Sequence, residues 1–146
     1  MKKKIFTGIA LMSLSFTALA GCASASGGDS EKQETVVTFE SGASYKQISS
    51  DAAAKLMETE KEYVILDVRT ASEYVEGHIP KAINIANEII SDETTRDLLK
   101  DKDRLILVYC RSGNRSKQAA EKLAELGYTN IVEFGGINTW GGELVK

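Results

Sequence analysis

The chain has 146 residues, with 18 basic against 21 acidic side chains and a formal charge of −3. Beyond Lys2, Lys3 and Lys4 it has no basic run, which argues against a nucleic-acid partner and leaves no polybasic patch for anionic lipid. Two cysteines and one histidine, His78, fall short of a structural zinc set, so no metal is expected.

Residues 1–21, MKKKIFTGIALMSLSFTALAG, place three lysines ahead of an uncharged, mostly apolar stretch from Ile5 to Ala20. That order predicts an export signal rather than a core helix; the alternative is an uncleaved membrane anchor. The segment runs into LAGC, Leu19 to Cys22, which resembles the lipobox of bacterial lipoproteins. The resemblance implies cleavage before Cys22, a diacylglycerol on its sulfur, and an extracytoplasmic protein lipid-anchored to a bacterial membrane. Several acyl chains anchor far better than one. Residues 22–43 open on small and polar types, ASASGGDSEKQE, and read as a flexible tether. Within them TVVTF, Thr35 to Phe39, stays open between an edge strand and a linker.

Residues 44–146 suit one compact domain. YKQIS, Tyr45 to Ser49, reads as a short strand. SSDAAAKLMETE follows as a helix capped by Ser49 or Ser50. YVILDVR, Tyr63 to Arg69, is a short, β-rich, near-continuous apolar run, which predicts a buried strand. TASEYVEGHIPKA reads as a loop with one helical turn at Ala71–Val75, and INIA as another short strand. SDETTRDLLK has a serine or aspartate cap, acidic residues in its first turn and a lysine at its end, and predicts a helix. RLILVYC is a second buried strand. RSKQAAEKLAELG sets Ala119, Ala120, Leu123 and Ala124 on one face and stops at Gly127, an amphipathic helix with a terminal glycine. NIVEF is a strand, and GGINTWGGELVK a turn with a short helical segment around Trp140. Five strands alternating with helices predict an α/β fold with a mainly parallel sheet flanked by helices.

In such sheets ligands bind beyond the carboxyl ends of the strands. Asp67 and Arg69 end one strand and Cys110 another, so all three are expected on one edge. With Cys22 lipidated, Cys110 has no disulfide partner, and a lone thiol outside the cytoplasm points to reactivity. The residues after it, RSGNR, must fold back tightly into a helix start. Gly113 supplies a permissive backbone and Asn114 tolerates unusual φ. Such a loop aims its N–H groups into its own concavity as a nest for an anion, aided by the helix dipole and by Arg111, Arg115 and Lys117. These effects favour thiolate over thiol. The competing reading is a small buried apolar residue at a strand end. For the neighbours, Ser112 and Ser116 read as helix caps, Asp67 and Arg69 as a structural ion pair with loop support as the alternative, His78 as a turn-fixing residue, and Trp140 as core or pocket rim. Glu73 and Tyr74 carry little signal.

CRSGNRS, Cys110 to Ser116, resembles the active-site loop of the rhodanese domain, a sulfurtransferase module. LDVRTASEYVEGHIPKAINI (Leu66–Ile85) and GYTNIVEFGGINTW (Gly127–Trp140) resemble two further segments of that family, in order. Lys81 departs from the pattern, which has glycine there; a changed turn rather than changed chemistry is expected. The resemblance implies a rhodanese-like fold with Cys110 as nucleophile and persulfide carrier. It gives the persulfide a nest made by Arg111, Ser112, Gly113, Asn114, Arg115 and Ser116, with Arg111 and Arg115 as candidates to bind the donor. The expected partners are a sulfane-sulfur donor such as thiosulfate and a thiol or cyanide acceptor, with no cofactor and a monomer by default. Related phosphatases use cysteine, five residues, then arginine. Here Arg115 follows after four, a shorter loop that favours a single sulfur over a phosphoryl group. The alternatives are a non-catalytic binding or regulatory module and, behind it, a cysteine-dependent phosphatase or arsenate reductase.

Overall fold

Two apolar runs dictate the centre of the sheet. Tyr63–Asp67 (β3) and Leu105–Cys110 (β5) lie side by side and parallel, with Val64 opposite Ile106 and Asp67 opposite Tyr109. Their side chains alternate between the two faces of the pleat. Leu66, Ile106, Val108 and Cys110 pack into one apolar cluster, while Ile65, Leu105, Leu107 and Tyr109 pack into another on the opposite face. Both faces are covered, which is why β5 is buried at all six positions and lacks any polar alternation.

The structure, a computed structural model, describes residues 34–146. The expected export signal, Cys22 and the start of the expected tether lie outside the described residues. In chain order the remaining elements are β1 (Thr35–Thr38), β2 (Ser44–Gln47), α1 (Ser50–Thr59), α2 (Ala71–Glu76), β4 (Ile83–Asn84), α3 (Asp92–Arg96), α4 (Asn114–Glu125) and β6 (Ile131–Gly136). The sheet has six strands in the order β1-β2-β6-β5-β3-β4, parallel throughout except for β1. Helix α4 supplies Ala119, Ala120, Leu123 and Ala124 to the cluster containing Cys110; α1 supplies Ala53 to the other.

The sixth strand is the main departure from the five expected. Thr35–Thr38 pairs antiparallel with β2, Thr35 opposite Gln47 and Thr38 opposite Ser44, through a hairpin that turns at Gly42 (φ 83°). The segment left open between strand and linker is thus an edge strand. It is mostly exposed, with Val37 and Phe39 partly buried against the core. The single turn expected at Ala71–Val75 is a six-residue helix started by a full capping box, in which Thr70 and Glu73 bond to each other's backbone N–H groups. Helix α3 ends at Arg96, short of the expected Lys100. Asn87–Ile89 forms a 3-10 turn that apolar patterning did not show. Among the described residues no helix is long and apolar enough to cross a membrane.

Candidate active site

Strand β5 ends at Cys110 and α4 begins at Asn114, so the chain reverses over three residues. Gly113 makes this turn at φ 102°, a left-handed backbone that side chains rarely adopt, and is itself the N-cap of α4. Two expectations are corrected here. Asn114 is the first helical residue, so the unusual φ belongs to Gly113 alone. Neither Ser112 nor Ser116 caps the helix, because the cap makes no side-chain hydrogen bond.

The loop is pressed onto the end of β6. A side-chain carbon placed on Gly136 would sit 2.1 Å from the Arg111 carbonyl oxygen, so only glycine fits there. The same carbonyl accepts a hydrogen bond from the Asn138 N–H (3.2 Å). This pairing leaves N–H groups to face the sulfur. Cys110 is 1% exposed and free, and its Sγ accepts from the Gly113 N–H at 3.1 Å. Burial pushes the thiol up, and is the largest single influence. Against it act the polar groups of Ser116, whose hydroxyl and N–H both lie near the sulfur, and the N–H groups of Gly113 and Ser112, and the net result is a lowered pKa. The direction matches that expected from the loop, but the agents are hydrogen bonds rather than nearby basic side chains.

Arg115 does not face an open cleft. It forms a forked pair with Glu73, Nη1 to Oε2 at 2.7 Å and Nη2 to Oε1 at 2.8 Å, both side chains about three-quarters buried. The Arg115 guanidinium, together with the N–H and hydroxyl of Thr70, holds the Glu73 carboxyl down at about 2. Glu73 therefore pins the Cys110 loop to α2, a role the sequence did not suggest. Its signal was present in the Thr70-x-x-Glu73 spacing. Of the two candidate donor-binding arginines, Arg115 is committed to this pair. Arg111 is exposed and makes no ion pair among the described residues.

Asp67 and Arg69 do meet on this edge, as a structural pair. Arg69 donates from its N–H, Nε and Nη2 to the Asp67 carboxylate at 2.6–3.0 Å, and from Nη2 to the Gly77 carbonyl at 2.7 Å. Tyr109, unsuspected from sequence, completes the network. Its hydroxyl donates to Asp67 Oδ2 at 2.6 Å and accepts from the Ile79 N–H at 3.1 Å. Burial first, then the Asp67 carboxylate, push this phenol far up, so it stays a fixed donor. Cys110 thus follows directly on a locked residue, and Arg69 braces the end of the helix that carries Glu73.

His78 acts in the fold. Its backbone pairs with Val145 in both directions (2.8 and 2.9 Å), and its ring stacks on Tyr74 with centroids 3.8 Å apart. Because the Tyr74 carbonyl can only accept, the ring nitrogen at 3.0 Å, Nδ1, carries the proton. Trp140 lies on the core side, against Phe134. Lys81 adopts φ 67°, the left-handed backbone that glycine would take more readily. No cluster of side chains suited to a metal ion occurs among the described residues.

A parallel strand ending in a buried cysteine, followed at once by a turn that aims an N–H at its sulfur and by a helix start, defines an α/β protein with a cysteine-loop site. Residues 49–143 match the rhodanese-like domain, and the chain belongs to that family. It is 35% identical over 98 residues to a putative sulfurtransferase, YtwF, of Bacillus subtilis, spanning 67% of this chain and 92% of that one. It is 34% identical over 97 residues to the thiosulfate sulfurtransferase GlpE of Coxiella burnetii, spanning 66% and 87%. Among solved structures it is similar to a rhodanese with anions from E. coli, at 34% identity and a TM-score of 0.54, over 57% of this chain and 98% of that one.

Proposed function

We propose that the protein is a sulfurtransferase that moves a sulfane sulfur from a donor such as thiosulfate to a thiol or cyanide acceptor through a persulfide on Cys110. The observation that carries this reading is the cysteine sulfur held by the N–H groups of a loop in which only four residues separate Cys110 from Arg115. The Cys110 thiolate attacks the outer sulfur of thiosulfate. A new S–S bond forms, the old one breaks, and sulfite leaves with the bonding pair. The terminal sulfur of the persulfide takes the place in the nest that the thiolate held. Fixed donors of this kind typically contribute about 3 kcal/mol each to a developing anion. An acceptor thiolate or cyanide then attacks the terminal sulfur, and Cys110 departs as thiolate. No general base, metal or organic cofactor enters either step.

Arg111, exposed on the loop, is the cation that attracts the anionic donor, while Arg115 braces. The commitment of Arg115 to Glu73 also weighs against a phosphatase, which needs that arginine for the phosphoryl oxygens. The domain works as a monomer held outside the cytoplasm by lipid on Cys22. Replacing Cys22 by Ala should move the protein from the membrane fraction to the soluble one.

Incubation of the folded chain with thiosulfate, followed by intact mass measurement, is expected to add one sulfur atom at Cys110, reversibly by thiol. Absence of that gain on folded protein would overturn the reading. Cys110→Ser should abolish both the gain and turnover while leaving the thermal midpoint nearly unchanged.

A further inference from the structure

Strand β6 alternates like its neighbours: Val132 and Phe134 face the α1 side, and Ile131 joins the cluster under α4. Glu133 therefore falls on the α4 face, at a position where an apolar side chain is expected, and it is 2% exposed. A buried carboxylate needs compensation. Both of its recorded hydrogen bonds fall on Oε1, from the Ser116 hydroxyl at 2.6 Å and the Gly135 N–H at 2.7 Å. Oε1 also lies 3.9 Å from where a side-chain carbon on Gly113 would be. The carboxylate thus sits directly behind the loop that holds Cys110.

Ser116 has one hydroxyl proton and several claimants. The carbonyl oxygens of Gly113 and Gly135 lie at 3.0 and 3.2 Å, and the Cys110 sulfur is also within its reach. The shortest contact, and one to a full negative charge, is that to Glu133. A hydrogen bond given to Glu133 is not available to sulfur. We propose that Glu133 is a positioning residue of the sulfur-transfer reaction: its carboxylate accepts the hydrogen bond of the Ser116 hydroxyl and holds it away from the Cys110 sulfur, which is left to the backbone N–H groups. Two consequences follow for reactivity. The hydroxyl is withheld from the thiolate, and a negative charge stands behind it. Both leave the thiolate more basic, and for thiolates nucleophilicity rises with basicity. The loop makes the anion available; Glu133 keeps it reactive.

The other charged and titratable groups around the pair are Arg111 on the loop, Arg115 and Lys117 on α4, Glu73 on α2 through its pair with Arg115, and Tyr45 on β2. The Arg115–Glu73 pair involves neither Glu133 nor Ser116.

The proposal rests on Cys110 being the transferring nucleophile. Its test uses no sulfur donor, so the two readings fail separately. The pH dependence of Cys110 alkylation by iodoacetamide is measured on the full chain, quantified at the Cys110 peptide, for the native protein, Glu133→Gln, Ser116→Ala and the double variant. Glu133→Gln is expected to lower the alkylation midpoint by about one pH unit. The limiting rate at high pH should fall about threefold. Ser116→Ala alone should leave the midpoint in place, because the hydroxyl already serves Glu133. Added to Glu133→Gln, the same change should raise the midpoint again, because there the hydroxyl has turned to sulfur. A purely structural role for Glu133 moves none of these midpoints. Should Glu133→Gln not fold, Ser116→Ala decides alone: a raised midpoint in that single variant overturns the proposal, as does an unmoved midpoint in folded Glu133→Gln.

Discussion

Two of the contacts that brace the Cys110 loop and its strand join residues far apart in sequence. Glu73 and Arg115 are 42 residues apart, as are Asp67 and Tyr109. Because Asp67 is fully buried with Arg69, Asp67→Asn should cost about 3 kcal/mol in chemical denaturation by leaving the guanidinium without its charge. Tyr109→Phe removes one bond to a carboxylate and should cost about 2 kcal/mol. Glu73 gives a pH signature. Its pKa is lowered in the folded state, so its contribution to stability is full above the unfolded carboxyl value and is lost as pH falls from about 4.5 towards about 2. Glu73→Gln should flatten the stability curve in that window and reduce sulfur transfer at neutral pH by loosening the loop. If thermal midpoints of native and variant protein run parallel between pH 5 and 2, the ion pair is not what holds the loop. At this scale the sequence was legible where chemistry is contiguous. Cys110, Gly113 and Arg115 sit in one seven-residue motif, and their spacing limits what the loop can hold. Tyr109, Glu73 and Glu133 act across the fold, and local patterns do not record pairings between distant elements. Glu133 did leave a trace, as a charge on the inward face of NIVEF.

The elements divide along the same line. β3 and β5 were readable as continuous apolar runs and α4 by its helical period, and burial by neighbours only reinforces these signals. α2 was read only as a single turn, since six residues are too few for a helix to be stable without tertiary support, and the capping box that starts it was not used. β1 depends on a partner: its burial pattern is almost wholly exposed, and pairing with β2 is what makes it a strand. The turn before β4 shows a related cost. Lys81 at φ 67° is 1 residue type away from relief, and Lys81→Gly should stabilise the domain by about 0.5 to 1 kcal/mol in urea titration, without altering Cys110 alkylation. A loss of stability instead would mean that the lysine side chain has a contact worth more than the strain.

Across the whole molecule, the parallel strands β2 to β6 bring loop chemistry to one rim while α1 and α4 insulate the two faces. The order β6-β5-β3 places Cys110 at the end of a strand that is paired on both sides, with Cys110 itself opposite Gly136. Gly136 ties the rim together by contact with Arg111, and even Gly136→Ala should displace the loop and abolish the persulfide mass gain while leaving circular dichroism native. The depth of the sulfur has one more effect. A disulfide requires two sulfurs at about 2.05 Å, with their Cα atoms within about 7 Å. Cys110, 1% exposed on the floor of its turn, cannot bring its Cα that close to the same atom of a second molecule without both loops unfolding. Copies of the domain can therefore meet at high concentration and remain free of covalent pairs through Cys110.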